Sequence, residues 1–258
     1  MVGTADINPV AFLYFLILLV PVVVINALLR LGVNSRLLVA IGRMAVQLVI
    51  VGLFLQYIFE LNSVWLNLLF IALMMIVASF SAVRSCKLKI RRYLAPIICA
   101  LIIPNILVAL FLNALLLNLT DIFSARYLIA IEGMLLGNSL SGIVISLNHF
   151  YSNIKDNNKR YLQILSFSCN RTETLRPYFK NAVVSTLNPF IASIETMGLV
   201  ALPGMMTGQM LGGTVPIVAI KYQIAIVLAI LAARYFSVLL ALWSSSLKAF
   251  DKYDILSL

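Results

Sequence analysis

The stretch LLVAIGRMAVQLVIVGLFLQYIF, residues 37–59, holds one charged side chain, Arg43, in 23 residues. A helix crossing the hydrocarbon layer of a bilayer needs about 20 predominantly apolar residues, since each advances the axis by about 1.5 Å. This run meets that length with enough to spare for tilt. Six more runs follow the same reading: 9–29, 64–83, 93–117, 126–148, 183–203 and 217–243. The expectation is an all-α, polytopic transmembrane bundle of about seven spans, forming a single domain over residues 1–258. The sixth run is interrupted by Asn188, Pro189, Glu195 and Gly198. A six-span arrangement with 183–203 re-entrant is therefore the alternative.

Composition agrees. Hydrophobic residues make up 62% of the 258 and charged residues 11%, against roughly 45–50% and 25% in soluble domains. Mean hydropathy is +1.05. No single soluble core hides that much apolar surface, and disorder requires the opposite composition.

The net charge is +10, from 19 basic and 9 acidic residues. In a soluble chain this would suggest nucleic acid; here the cations sit in alternate connections, so no nucleic-acid partner is expected. Arg30 and Arg36 follow the first run, and Arg84, Lys87, Lys89, Arg91 and Arg92 follow the third. Lys155, Lys159, Arg160, Arg171, Arg176 and Lys180 follow the fifth, and Lys248 and Lys252 follow the seventh. Among the opposite connections only the fourth holds a cation, Arg126. The positive-inside rule then puts the N-terminus outside and the C-terminus in the cytoplasm. Cys86, Cys99 and Cys169 are odd in number and scattered, which gives neither a disulfide framework nor a zinc site. Residues 1–8 include Asp6 and no cation, unlike a cleaved secretory signal, and Val2 departs from the myristoylation pattern. There is no repeat of 20–50 residues and no inverted pattern of the kind many secondary transporters carry.

The one long connection, 149–182, reads as two short cytoplasmic helices. Asn170 and Glu173 form a capping pair for the second, and Leu175, Tyr178, Phe179 and Ala182 share one face. Pro177 predicts that a helix ends or starts there. The basic residues would touch anionic head groups, or the apolar ridge would dock a cytoplasmic partner. No G-x-x-x-x-G-K-[ST] string occurs, so the chain has no P-loop nucleotide site of its own.

Five ionisable residues fall within the runs: Arg43, Glu132, Glu195, Lys221 and Arg234. Each costs about 2.5–3.5 kcal/mol at mid-helix on insertion scales, so each needs a partner or a purpose. Glu195 lies about twelve residues into its run, near mid-membrane. Glu132 and Lys221 lie at similar depth, which allows an ion pair, whereas Arg43, with Gln47 one turn on, and Arg234 lie in the inner halves. Arg43 and Lys221 also have snorkelling open to them. IEGMLLGNSLSGI, 131–143, spaces Gly133, Gly137 and Ser141 four apart, and likewise Asn138 and Gly142. That spacing suits close helix packing, with Asn138 and Ser139 lining a cavity as the second reading. IETMGLVALPGMMTGQMLGG, 194–213, predicts a broken helix or ordered loop around Pro203-Gly204. Its Met197, Met205, Met206 and Met210 are either adaptable filler or soft ligands suited to Cu(I). His149, the single histidine, sits at the cytoplasmic end of the fifth run. No nucleophile–base set assembles, so the chain reads as a transport component rather than an enzyme.

These two stretches, with KYQIAI at 221–226 and GRMAVQL at 42–48, resemble the signature segments of the Fet-type iron-export ABC transporter permeases. Plant relatives of that family are linked to aluminium tolerance. The resemblance runs from about residue 10 to 245. It implies the membrane half of an ABC transporter in a bacterial plasma (inner) membrane, working as a homodimer of permeases. ATP and Mg would bind a separate cytoplasmic ABC ATPase subunit, and this chain would hold no cofactor. In such permeases a cytoplasmic helix-turn-helix with a Gly-Ala-Ser-like turn docks the ATPase. Ser168, Cys169 and Asn170 fall at that turn and depart from the glycine; Arg171, Glu173, Leu175, Tyr178 and Phe179 follow it as the coupling surface. Iron is the implied cargo. Fe(II) favours carboxylate and imidazole, and within the runs Glu132 and Glu195 are the carboxylates on offer. The expected cation path passes these two as transient metal ligands, with Asn138, Ser139, Met197, Met205, Met206 and Gln209 beside them. The competing reading is a stand-alone secondary transporter or channel using the same glutamates.

Overall fold

The computed structural model describes residues 14–61, 63–116, 125–168 and 170–251, together with Asp254 and Leu256. Among these residues the chain is helical, with two isolated bridges, Met197 to Ala201 and Phe250 to Leu256, and no strand. The helices are α1 (Leu19–Leu28), α2 (Asn34–Leu61), α3 (Val64–Ser85) and α4 (Ile90–Phe111), the last continuing as a π-helical turn, Leu112–Leu116. Then come α5 (Ala125–Asp156), α6 (Asn158–Ser168), α7 (Arg171–Thr196), α8 (Gly204–Leu211) and α9 (Pro216–Ala249).

Five helical stretches are long and apolar enough to cross a membrane: Asn34–Leu61, Val64–Ser85, Ile90–Ala114, Leu128–Asp156 and Pro216–Ala249. Two of the seven expected runs fall outside that set. The first, described from residue 14, forms a shorter apolar helix, Tyr14–Leu28. The sixth is corrected more substantially, because 183–203 is not one helix. Its helix begins upstream at Arg171 and stops at Thr196. The chain then turns through Gly198, whose φ of +87° lies in the left-handed region that glycine adopts without steric cost. The Gly198 amide donates to the Ala201 carbonyl at 2.9 Å, closing the turn. Pro203 caps α8 at its start, so the predicted break around Pro203-Gly204 is a turn followed by a short second helix.

The connection 149–182 is corrected as well. It is not a separate pair of short helices. α5 carries the fifth run eight residues past 148 to Asp156, and α7 passes through Pro177 and Pro189 without ending. Only α6 is an independent piece. Interior proline costs an isolated helix about 3 kcal/mol; here tertiary burial on either side of Pro177, at Leu175, Tyr178 and Ala182, overrides it. Asn170 does cap α7, its side chain accepting from the Thr172 amide at 3.0 Å. Cys169 lies outside the described residues.

α9 is the spine, packing along both α4 and α5, while α5 also meets α3 and α7. The main core runs down this group through Ile97, Leu101, Ile143, Leu147 and Leu242 to Phe150 and Tyr161 at the α6 end. A smaller cluster at the opposite end joins Ala109 and Leu112 to Ile131, Leu135, Ile226 and Ile230. By contrast α2 has a single buried residue, Ile58, and α1 none. This pair leaves its apolar surface open along most of its length, which only a bilayer or another membrane chain can cover.

Candidate functional site

Polar groups inside the bundle occur at two levels. Near its middle, Ser139 Oγ donates to Asn105 Oδ1 at 3.1 Å, and Asn105 Nδ2 donates to Ser237 Oγ at 3.4 Å and to the Leu101 carbonyl at 2.6 Å. All three side chains are buried, so α4, α5 and α9 are tied by one small network. Beside this network, Arg234 is 5% exposed; its Nη2 donates to the Thr186 carbonyl at 3.0 Å and its guanidinium lies 5.3 Å from the centroid of the Phe190 ring. Gly142 gives it room: a Cβ there would meet Arg234 Cγ at 2.9 Å. Of the small residues in 131–143, Gly142 is thus the one that a close approach requires, whereas Gly137 faces open space.

At the end remote from α6, Glu132 is 3% exposed and its Oε2 has no hydrogen-bond partner among the described residues. Asn113, fully buried in the π-helical turn that ends α4, has neither amide atom satisfied. Buried polar atoms are nearly always paired, and π-turns concentrate at functional positions. These two groups sit on helices that share the smaller core cluster. Lys221 is exposed, and no ion pair joins it to Glu132 among the described residues.

Glu195 is exposed in the last turn of α7. A carboxylate there meets the negative end of the helix dipole, an arrangement that a cation relieves. Beside that end lies a cavity of about 550 Å³ lined by Met197, Met206, Pro203 and the buried Gln223. The structure therefore brings Met197 and Met206 together. Met205 instead packs on the smaller core cluster, and Gln209 is half-buried with its side-chain oxygen unpartnered. Asn138 donates back to the Met134 carbonyl at 2.9 Å. No group of three or more His, Cys, Asp or Glu converges among the described residues. Arg43 and Gln47 lie on the exposed face of α2 with Arg36.

The elbow between α6 and α7 is held by the C-terminal segment. Tyr161 donates its hydroxyl to the Asp254 carbonyl at 2.9 Å, and its ring stacks on Phe250 at 5.8 Å. Arg171 pairs with Asp254 at 3.1 Å and lies 5.6 Å over the Phe250 ring. Burial, with Asp254 adding to it, pushes the Tyr161 phenol up to about 12. The ridge expected to face a partner is turned inward: Leu175 and Tyr178 are buried, and Phe179 packs edge-on against Phe150 at 6.5 Å. The cause is that α7 is amphipathic towards its own bundle. What the elbow shows to solvent is Asn170, Thr172 and Glu173, beside half-buried Arg171. Sequence reasoning missed Asn105, Asn113, Gln223 and Ser237; the available signal was an amide or hydroxyl inside an otherwise apolar run.

The profile of an uncharacterised protein family, UPF0014, matches residues 9–250. The UPF0014 membrane protein YjkA of Bacillus subtilis is 32% identical over 202 residues, 78% of this chain and 79% of its own length. The probable iron export permease protein FetB of Escherichia coli is 27% identical over 236 residues, 92% of this chain and 90% of that one. The Arabidopsis thaliana protein ALUMINUM SENSITIVE 3 is 27% identical over 223 residues, 85% of this chain and 78% of its own. No solved structure matches the chain.

Proposed function

Because the chain belongs to the UPF0014 family of multi-pass membrane proteins, we propose that it is the membrane-spanning permease subunit of an ABC transporter that exports iron or another metal cation. The observation that carries most weight is the similarity to a probable iron export permease along 92% of the chain. In this reading the chain works as a homodimer in a bacterial plasma membrane, N-terminus outside and C-terminus in the cytoplasm. ATP and Mg are handled by a separate cytoplasmic ABC ATPase, which engages the elbow where Asn170, Thr172 and Glu173 are exposed. Switching of the ATPase is transmitted along α7, whose single helix links the elbow to Glu195. The cation path takes in Glu132 and Glu195, and two copies of the chain supply four carboxylates. Export needs no nucleophile or resident cofactor in this chain.

The test is ATPase activity of the reconstituted permease–ATPase complex with and without Fe(II), Al(III), Zn(II) or Cu(I). Stimulation by one ion, lost in Glu195→Gln while the complex stays assembled, is the expected result. Full export by that variant removes Glu195 from the path. Failure of any ATPase to bind favours a stand-alone transporter using the two glutamates.

A further inference from the structure

Above the inward-turned ridge, a cleft of about 680 Å³ opens between α5, α7 and the last turns of α9. One wall is apolar, formed by Phe150, Trp243 and Leu247, the last two more than half exposed. The other presents Arg171, Arg176 and Lys180, with Glu173 as the one carboxylate. Arg171 is already matched by Asp254. Arg176 and Lys180 are exposed and have no ion-pair partner among the described residues. Against Glu173 they leave a surplus of about one positive charge.

The level of the cleft follows from helix length. α9 has 34 residues and is roughly 50 Å long at about 1.5 Å per residue, against a hydrocarbon layer of about 30 Å. With the excess shared between its ends, Trp243 comes at the boundary where tryptophan is favoured, and Leu247 lies one turn beyond. Arg176 and Lys180 are one turn apart on α7, the step that lets two cations address one group. Apolar surface that starts at the hydrocarbon boundary, next to unpaired cations in the same cleft, suits one kind of occupant.

We propose that this cleft binds a singly charged anionic phospholipid, with its phosphodiester between Arg176 and Lys180 and an acyl chain entering the hydrocarbon at Trp243. The lipid lies against α7 about one and a half to two and a half turns from its start, which leaves the tip of the elbow free.

The chain has two tryptophans, and Trp65 is 83% exposed, so Trp65→Phe leaves Trp243 as the sole tryptophan without disturbing a core. The full chain is reconstituted in phosphatidylcholine vesicles containing a minor fraction of phosphatidylglycerol, with bromine on one lipid or the other. At equal mole fraction, brominated phosphatidylglycerol should quench Trp243 preferentially, with a relative affinity of about five-fold for each cation engaged. Arg176→Gln with Lys180→Gln, both at exposed positions, should bring that ratio to one. Equal quenching by both lipids in the parent protein overturns the proposal, as does a preference that survives the double substitution. Added inorganic phosphate should leave the preference unchanged; its abolition would assign the cleft to a soluble anion instead.

Discussion

Gly142 and Arg234 show how one missing methyl group admits a charge to the interior. The guanidinium is accommodated because α5 offers no Cβ where Arg234 Cγ passes, at a projected 2.9 Å. Gly142→Ala should lower stability by about 1–3 kcal/mol, the usual cost of overpacking, seen as a lower Tm in detergent. Gly137→Ala, one turn and a half away with nothing within 4 Å, should be neutral or stabilising by up to about 1 kcal/mol, since alanine restricts the unfolded chain. Equal effects at the two positions would contradict the geometry. The Asn105 network invites a similar comparison. Removing one hydroxyl with Ser139→Ala should cost about 0.6 kcal/mol and no more than about 1.7, the range for hydrogen bonds between membrane helices. A double-mutant cycle with Asn105→Ala isolates that value.

At the scale of elements, the elbow is a composite of α6, the start of α7 and the chain end after α9. Tyr161 titrates above the ordinary tyrosine value of 10, at about 12. The folded state therefore holds its proton more tightly than the unfolded chain. The stability this provides is complete below pH 10 and is lost as the pH rises from 10 to about 12. Tyr161→Phe keeps the ring stack on Phe250 and removes the hydrogen bond. Its unfolding curve should be flatter across that interval, with a loss of about 1 kcal/mol at neutral pH. The Arg171–Asp254 pair, with both side chains over 30% exposed, should matter less: Asp254→Asn should cost under about 1 kcal/mol and less still at high salt.

For the whole molecule, the uneven burial is the main feature. α3, α4, α5, α7 and α9 share a core, whereas α2 buries Ile58 alone of its 28 residues, with Leu55 and Phe59 packed beside it. Arg36, Arg43 and Gln47 follow one exposed face of α2, a poor surface to leave against lipid. In the proposed homodimer this face meets the second copy. With Cys86, Cys99 and Cys169 replaced by alanine, Gln47→Cys should give an oxidant-dependent cross-linked dimer in membranes. A chain that stays monomeric on denaturing gels would place that face against lipid.

Residue type and spacing alone were enough to establish an all-helical membrane chain, because the cost of burying backbone and charge in hydrocarbon leaves few solutions. The same logic predicted a break around Pro203-Gly204, which the structure begins earlier, after Thr196, and the cap at Asn170. Packing decided the rest. Leu175, Tyr178 and Phe179 at helical spacing announce an apolar face but not what it faces, and the fold turned it inward. Pro177 signals a helix end by local energetics, and tertiary burial on either side overrode it. Four-residue spacing set Gly133, Gly137 and Ser141 in one series and Asn138 and Gly142 in another without ranking them, yet only the trajectory of α9 assigns Gly142 to Arg234. Asn105, Ser139 and Ser237 are far apart in the chain, and their hydrogen bonds exist because three helices converge. Periodicity records the preference of one element for an apolar or polar surrounding; which neighbour supplies that surrounding is fixed by long-range packing, and no local pattern encodes it.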